Sequence, residues 1–256
     1  MTTTELKLEK QPKLENPVLI EGLAGIGHIG RNVVSYLAED QEAEKIGELH
    51  SDHFPPYTII KDDKTTEKMK NSIYQLHTEN EDYILIEGNA QAQTPEGHHE
   101  VARKITEFAD ENNVSKVMTV GGYGTGDVVE DPDVFGALTN EEFKNEYSSH
   151  GVKFEHDVDQ IVGVSGLLLA EAQDRDLPGI CLLGETPGFL LSDPKSTEKV
   201  LNAVESIMQI ELDYSELDKK VEESQEVLKK LQKLQSQQSP DQDKQQGGGN
   251  DLGYIG

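Results

Sequence analysis

The residues whose types and spacing could do chemistry are gathered in glycine turns. The run from Gly22 to Gly30 contains Gly25-x-Gly27-x-x-Gly30, the pattern in which glycines let backbone amides at a helix start approach a pyrophosphate. A dinucleotide site also needs a second parallel strand ending, roughly 20 residues on, in an acid for the ribose hydroxyls. Asp52 lies at about that distance, but the stretch before it, Lys45 to His50, is polar and broken by Gly47, a poor match to the centre of a parallel sheet. That mismatch favours a competing reading, a turn whose glycines let a helix pack closely on its own strand. His28, a bulky residue within the turn, neither forbids nor requires a ligand. Two more glycine turns, Gly121 to Gly126 and Gly184 to Gly188, also follow strands, so all three can face one crevice at the carboxyl edge of a sheet.

An enzyme needs a nucleophile with a base, or a paired acid and base, within reach of each other. His98-His99-Glu100 lacks the i, i+4 histidine spacing of a helical zinc site, and adjacent helical residues point about 100° apart. Ser165, in Gly163-Val164-Ser165-Gly166-Leu167, departs from the nucleophile elbow, which wants glycine two residues after the serine. Glu87, Asp127 and Glu185 close strands or their loops and could be general bases, yet single carboxylates say little in so acidic a chain. No phosphate-loop Gly-Lys-Ser/Thr occurs, and Arg31 is the basic residue nearest the glycine turns. We assign no catalytic, cofactor or metal residues from these patterns.

The 256 residues carry 49 acidic against 23 basic groups, a formal charge of -26. That excess argues against nucleic acid or an anionic membrane as partner, because phosphate binding needs a basic face. Spread along the whole chain, it suits a salty cytoplasm, where the Debye length falls to about 3 Å at 1 M salt and self-repulsion is screened. The single Cys181 sits in the apolar run Ile180 to Leu183 and reads as a small buried hydrophobe. The N-terminus lacks the apolar core of a signal peptide, and the longest nearly apolar stretch, Ile161 to Ala170, is about half a membrane span. A cytoplasmic protein is expected.

The elements that must position these turns follow from periodicity. Pro17 to Glu21 reads as a buried strand, and Ile29, Val33, Val34 and Leu37 recur at helical spacing. Tyr57 to Lys61 and Ser72 to His77 read as an antiparallel pair with a turn near Lys61 to Lys64. Asp82 to Glu87 is a strand, followed by a helix over 95–112 with Val101, Ile105 and Phe108 on one face. Lys116 to Val120 and Gly179 to Leu183 are strands, and Asp193-Pro194 reads as an N-cap with proline at the first helical position. The alternation from Pro17 to Ile210 predicts an α/β fold with a parallel-dominated sheet covered by helices on both faces.

Character changes after residue 213. Leu217, Val221, Leu228 and Leu231 fall at alternating four- and three-residue steps, as on a helix that docks on its own domain or meets a partner subunit. A polar, Gln-rich stretch over 236–250 reads as a disordered linker. The last six residues, Asp251 to Gly256, contrast with it by carrying Leu252, Tyr254 and Ile255 beside the chain carboxylate, the composition of a docking peptide. The expected organisation is a polar segment over 1–13, an α/β domain over 14–213, an amphipathic helix over 214–235, the linker and the docking peptide.

Taken together, Pro17 to Gly22 with Gly25-Ile26-Gly27, Ile84 to Gly88, Val120 to Gly126 and Leu183 to Gly188 resemble, in order and spacing, the archaeal proteasome assembly chaperone family over roughly residues 14–235. The resemblance implies a fold like that of nucleoside phosphorylases, self-association into a homo-oligomer, and non-enzymatic, ATP-independent chaperone or adaptor action on proteasome α-subunits. It also implies a tail ending hydrophobic-Tyr-any residue that inserts between α-subunits, which maps partner binding onto Leu252, Tyr254, Ile255 and Gly256. The tyrosine here is third from the end, where that pattern has it second. The rival expectation is a nucleoside- or nucleotide-binding enzyme built on the three glycine turns.

Overall fold

The computed structural model describes residues 3–237, with side chains through Val227. Residues 238–256, and with them Leu252, Tyr254, Ile255, Gly256 and most of the expected linker, lie outside the described residues. So do the side chains of Leu228 and Leu231.

The organising strand is β2 (Val18–Leu23), buried along its whole length. Its alternate residues face opposite layers: Val18 and Ile20 join one apolar cluster, Leu19 and Leu23 the other, as the period of 2 requires. A 3-10 turn at Ile26–His28 leads into α1 (Ile29–Asp40). The chain continues through β3 (Glu44–Ser51), the ribbon β4 (Thr58–Ile60) and β5 (Thr66–Lys68), then β6 (Asn71–His77) and β7 (Asp82–Gly88). Helix α2 (Pro95–Glu111) starts on an N-cap, Thr94, whose hydroxyl accepts from the Gly97 amide at 3.1 Å. Strand β8 (Lys116–Gly124), β9 (Val134–Leu138), α3 (Lys144–Ser148), β10 (Val152–Lys153), α4 (Val164–Asp174) and β11 (Gly179–Thr186) follow. Helix α5 (Pro194–Met208) begins as its Asp-Pro signal predicts, with Asp193 accepting from the Ser196 amide at 3.0 Å. The last described element is α6 (Ser215–Gln237). An edge strand β1 (Thr4–Leu8) pairs with β3.

Among the described residues the main sheet has nine strands in the order β1-β3-β6-β7-β2-β8-β11-β9-β10. Helices α1, α5 and α6 cover one face, α2 and α4 the other. The sheet is not parallel-dominated as the strand-helix alternation suggested. Counting the separate ribbon, five of the nine described pairings are antiparallel, and the parallel block is confined to β7-β2-β8-β11 with the short β9-β10 pair. Two insertions cause the difference. Strand β6 returns between β3 and β7, antiparallel to both, and β9 folds back antiparallel on β11. The predicted turn near Lys61 to Lys64 exists, with Lys61 N donating to Thr65 O at 2.9 Å, but it joins β4 to β5, while 71–77 enters the main sheet. The polar Lys45 to His50 stretch is also a strand. It is separated from β2 by β6 and β7, which leaves Asp52 away from the glycine turn.

Helix α1 lies on the sheet with glycines at the contact. A Cβ built on Gly30 would collide with the Val120 carbonyl, and one on Gly22 with the Gly30 carbonyl. The glycine pattern is therefore a packing device between α1, β2 and β8. We predict that Gly30→Ala destabilises the fold by about 2 kcal/mol in denaturant titration, despite the roughly 1 kcal/mol that Ala offers over Gly inside a helix. The control Gly25→Ala, where the nearest atom is 3.7 Å away and the backbone is extended, should stay within about 0.5 kcal/mol of wild type.

Candidate functional site: the cleft at the carboxyl edge

The structure brings the three glycine turns together. Strands β8 and β11 pair up to Gly124 and Thr186, Thr125 N donates to Thr186 O at 2.8 Å, and the Ile26 side chain lies against Gly124. Between these turns and the first turns of α2 and α4 lies a cleft of about 530 Å³. Its walls include Leu23, Leu183 and Ile161, and its polar groups include Gln91, His98 and Ser165. Gln91 holds the wall in place: its side-chain amide donates to Ala24 O at 2.9 Å and its oxygen accepts from Val164 N at 3.3 Å.

Beneath the cleft three polar residues form a row across the parallel strands. Glu21 of β2 stands opposite Thr119 of β8, which stands opposite Cys181 of β11. All three are fully buried, and neither oxygen of Glu21 nor the Thr119 hydroxyl closes a hydrogen bond. Burial pushes the Glu21 carboxyl up to about 8, the Ser165 side chain of α4 only partly offsetting it. Burial likewise pushes the Cys181 thiol up to about 12, which makes it the inert core residue that its apolar neighbours predicted. Glu21 was visible in the sequence only as an acid inside the strand Val18 to Leu23. What singles it out is the register that stacks Thr119 and Cys181 beside it.

The other sequence candidates disperse. His98 lines the cleft, its Nδ1 buried without a partner, while His99 is exposed. Glu100 accepts from Thr3 N at 2.7 Å and so ties down the N-terminal strand. Glu185 accepts from Asp133 N at 3.0 Å, Asp127 is exposed, and burial raises the Glu87 pKa, with Arg31 and Lys45, both outside the cleft lining, offsetting only part of it. The turn at Gly27 is packed against protein, its carbonyl accepting from Asp193 N at 2.9 Å. Among the described residues no lysine or arginine lines the cleft, so these residues supply no counter-charge for a nucleotide phosphate. Among the described residues no group of three His, Cys, Asp or Glu could hold a metal ion, and no helix is long and apolar enough to cross a membrane.

The model of the PAC2 family matches residues 19–232. The chain belongs to the PAC2 family. An uncharacterized protein of Methanocaldococcus jannaschii is 36% identical over 250 residues, 98% of this chain and 96% of its own. The crystal structure of Pyrococcus furiosus PbaB, described as an archaeal proteasome activator, is similar at 33% identity and a TM-score of 0.85, covering 91% of this chain and 100% of that one. Pyrococcus furiosus PbaA, described as an archaeal homolog of proteasome-assembly chaperone, is similar at 27% identity and a TM-score of 0.73, covering 91% of this chain and 93% of its own. These matches bear out the family that the glycine turns and their order pointed to.

The buried carboxyl makes the stability of this PAC2 chain pH-dependent. Its folded pKa, about 8, lies above the ordinary 4.5, so its contribution is fully present below the ordinary value and is lost as pH rises through the folded one. Glu21→Gln removes that loss. In urea titrations the variant should exceed wild type by on the order of 3 kcal/mol at pH 8.5, with the difference shrinking steadily towards pH 5.

Proposed function

We propose that this chain is a non-enzymatic proteasome assembly chaperone or adaptor that binds proteasome α-subunits through its C-terminal tail. The observation that carries the reading is the likeness to Pyrococcus furiosus PbaB, at 33% identity over 91% of this chain, with the likeness to PbaA beside it.

The geometry of α6 supports the role given to the tail. Its approach is fixed near the end of α1, where Asp213 N donates to Asp40 Oδ1 at 3.1 Å and the Tyr36 hydroxyl donates to Asp213 O. One turn on, Leu217 and Lys220 lie beside Asn32, Ser192 and Pro194, residues at the starts of α1 and α5. Helix α6 thus runs antiparallel to α1, towards the carboxyl edge. Leu217 and Val221 bury against the domain, so the first half of the helix docks on its own body. At 1.5 Å per residue the helix extends about 25 Å beyond Lys220 by Gln237.

The contact residues in this reading are Leu252, Tyr254, Ile255 and Gly256. Burying the three large side chains contributes about 1.5 to 3 kcal/mol each, less the cost of ordering the tail, which leaves one tail weak. Self-association of the body multiplies it: several tails on one oligomer raise the effective concentration at a ring of equivalent pockets. The body itself is the platform that carries the tails.

The test is a pull-down of cognate α-subunits, at the salt of the native cytoplasm, with the full chain, with residues 251–256 removed and with Tyr254→Ala. Retention should fall at least tenfold for both variants. Equal retention by all three refutes the tail; no retention by any refutes the function. Light scattering of the full chain gives the subunit count, and a monomer would remove the multivalency on which a weak tail depends.

A further inference from the structure

Glu21 is a buried acid with no basic partner among the described residues. Buried charges in proteins are paired, and an unpaired one stays protonated at a cost in hydrogen bonding as well. The groups that face it are Ile86 from β7, Thr119 from β8, the Cys181 thiol from β11 in the same row, and Ser165 from α4. The imidazole of His98 on α2 and the phenol of Tyr123 on β8 are the titratable groups, among the described residues, that line the space above. None of these is a cation: burial lowers the His98 pKa and so favours its neutral form.

The way from the cleft to this row is short. Moving one step along the same strand faces towards the carboxyl edge, Glu21 gives way to Leu23, Thr119 to Gly121 and Cys181 to Leu183, and all three successors line the cleft. The middle one has no side chain. Ser165 belongs to both places, lining the cleft while facing the carboxyl. At the mouth stand exposed apolar side chains, Val162 at 83% and Ile26 at 48% exposure.

We propose that this cleft is a binding site for a small primary amine with an apolar body, whose ammonium takes the Glu21 carboxyl as its counter-ion. The chemistry matches on each side. An ammonium has three donors and no acceptor, and the polar groups here offer acceptors: the carboxylate, the Ser165 hydroxyl that faces it, and the Nδ1 of neutral His98 in the tautomer protonated at Nε2. The apolar body lies against Leu23, Leu183 and Ile161, with Val162 and Ile26 at the rim. An anion finds no lysine or arginine in the lining, and a chain of formal charge -26 repels it. On binding, the carboxyl O–H bond breaks, its proton passes to the solvent buffer, and the carboxylate pairs with the ammonium. The site stands independently of the proteasome reading, since neither its residues nor its test involve the tail.

The experiment compares phenethylamine with its uncharged isostere 2-phenylethanol, titrated into the full chain by calorimetry and NMR in about 1 M KCl, where a Debye length of about 3 Å silences exposed charges. The amine should saturate at one per chain and the alcohol should bind at least tenfold more weakly. With a carboxyl that titrates near 8, the apparent Kd for the amine should tighten roughly twentyfold from pH 6.5 to 8.5, with buffer-dependent heats that report proton release. Glu21→Gln should bring the amine down to the affinity of the alcohol and flatten its pH profile. Gly121→Val, which fills the gap above Thr119 and leaves Glu21 in place, should abolish amine binding, and circular dichroism checks that both variants fold. The proposal is overturned if the amine does not bind, if amine and alcohol bind alike, if affinity is flat across that pH range, or if both variants bind the amine as wild type does.

Discussion

The contact on which the rest of the structure depends is the bare backbone approach of α1 to β2 and β8. Gly22 and Gly30 have no side chain to hold the helix off, and a Cβ at either position would enter a carbonyl oxygen. This closeness draws the Ile26–His28 turn over Gly122, whose own Cβ would meet the Ile26 carbonyl. The turn in turn presents the Gly27 carbonyl to Asp193, the residue that caps α5 and accepts from the Thr186 hydroxyl at 2.8 Å. One helix-to-sheet distance thereby sets the wall of the cleft, the start of α5, and through Leu217 and Val221 the line of α6. A motif that could cradle a phosphate is used here to join elements, because the space before the helix is taken by protein.

Much of this was legible in the sequence, and the rest fails for identifiable reasons. Strand β2, α2 and α5 declare themselves through local signals, an apolar run, a helical stripe at Val101, Ile105 and Phe108, and the Asp193-Pro194 cap, all decided within a few residues of chain. Strand β3 does not. Its burial rests on Ile46 and Leu49 alone, and its partners, β1 and β6, are supplied from both sides of it in the sequence. The antiparallel insertion of β6 is a long-range choice that no local periodicity records, which is why alternation of strand and helix overstated the parallel character of the sheet. Glu21 shows the same limit at the site. Its residue type was plain, but the fact that no cation reaches it belongs to the register of three strands.

Outside the core, the chain handles its charge by dispersing it. Lys70 bridges Glu48 and Glu67 at 2.5 Å each, and Arg175 joins Glu171 and Asp110 across α4 and α2. Such partly exposed pairs contribute about 0 to 1 kcal/mol and less in salt. Stability accordingly rests on the two apolar layers that meet at the sheet, with Val18 and Ile20 on one side and Leu19 and Leu23 on the other. Against that background Glu21 is the exception among the described residues: the other buried acid, Asp193, is held by the Ser196 amide and the Thr186 hydroxyl, and the Glu21 carboxyl is paired with no cation.

The two candidate functions occupy opposite faces of one scaffold. Helix α6 packs on the α1 and α5 layer, while the cleft opens between α2, α4 and the strand ends on the other side, above the buried acid. The cleft opens at the carboxyl edge, because that is where the parallel block ends and its loops are free of sheet pairing. A change confined to the cleft therefore leaves the anchoring of α6 intact, and loss of the last residues leaves the cleft intact. The element they share is α1: its glycine contact holds the cleft wall on one side and its outer face, through Tyr36 and Asp40, receives the approach to α6 on the other. Displacing that helix would disturb both at once, since one packing contact supports the cleft wall and the start of α6 together.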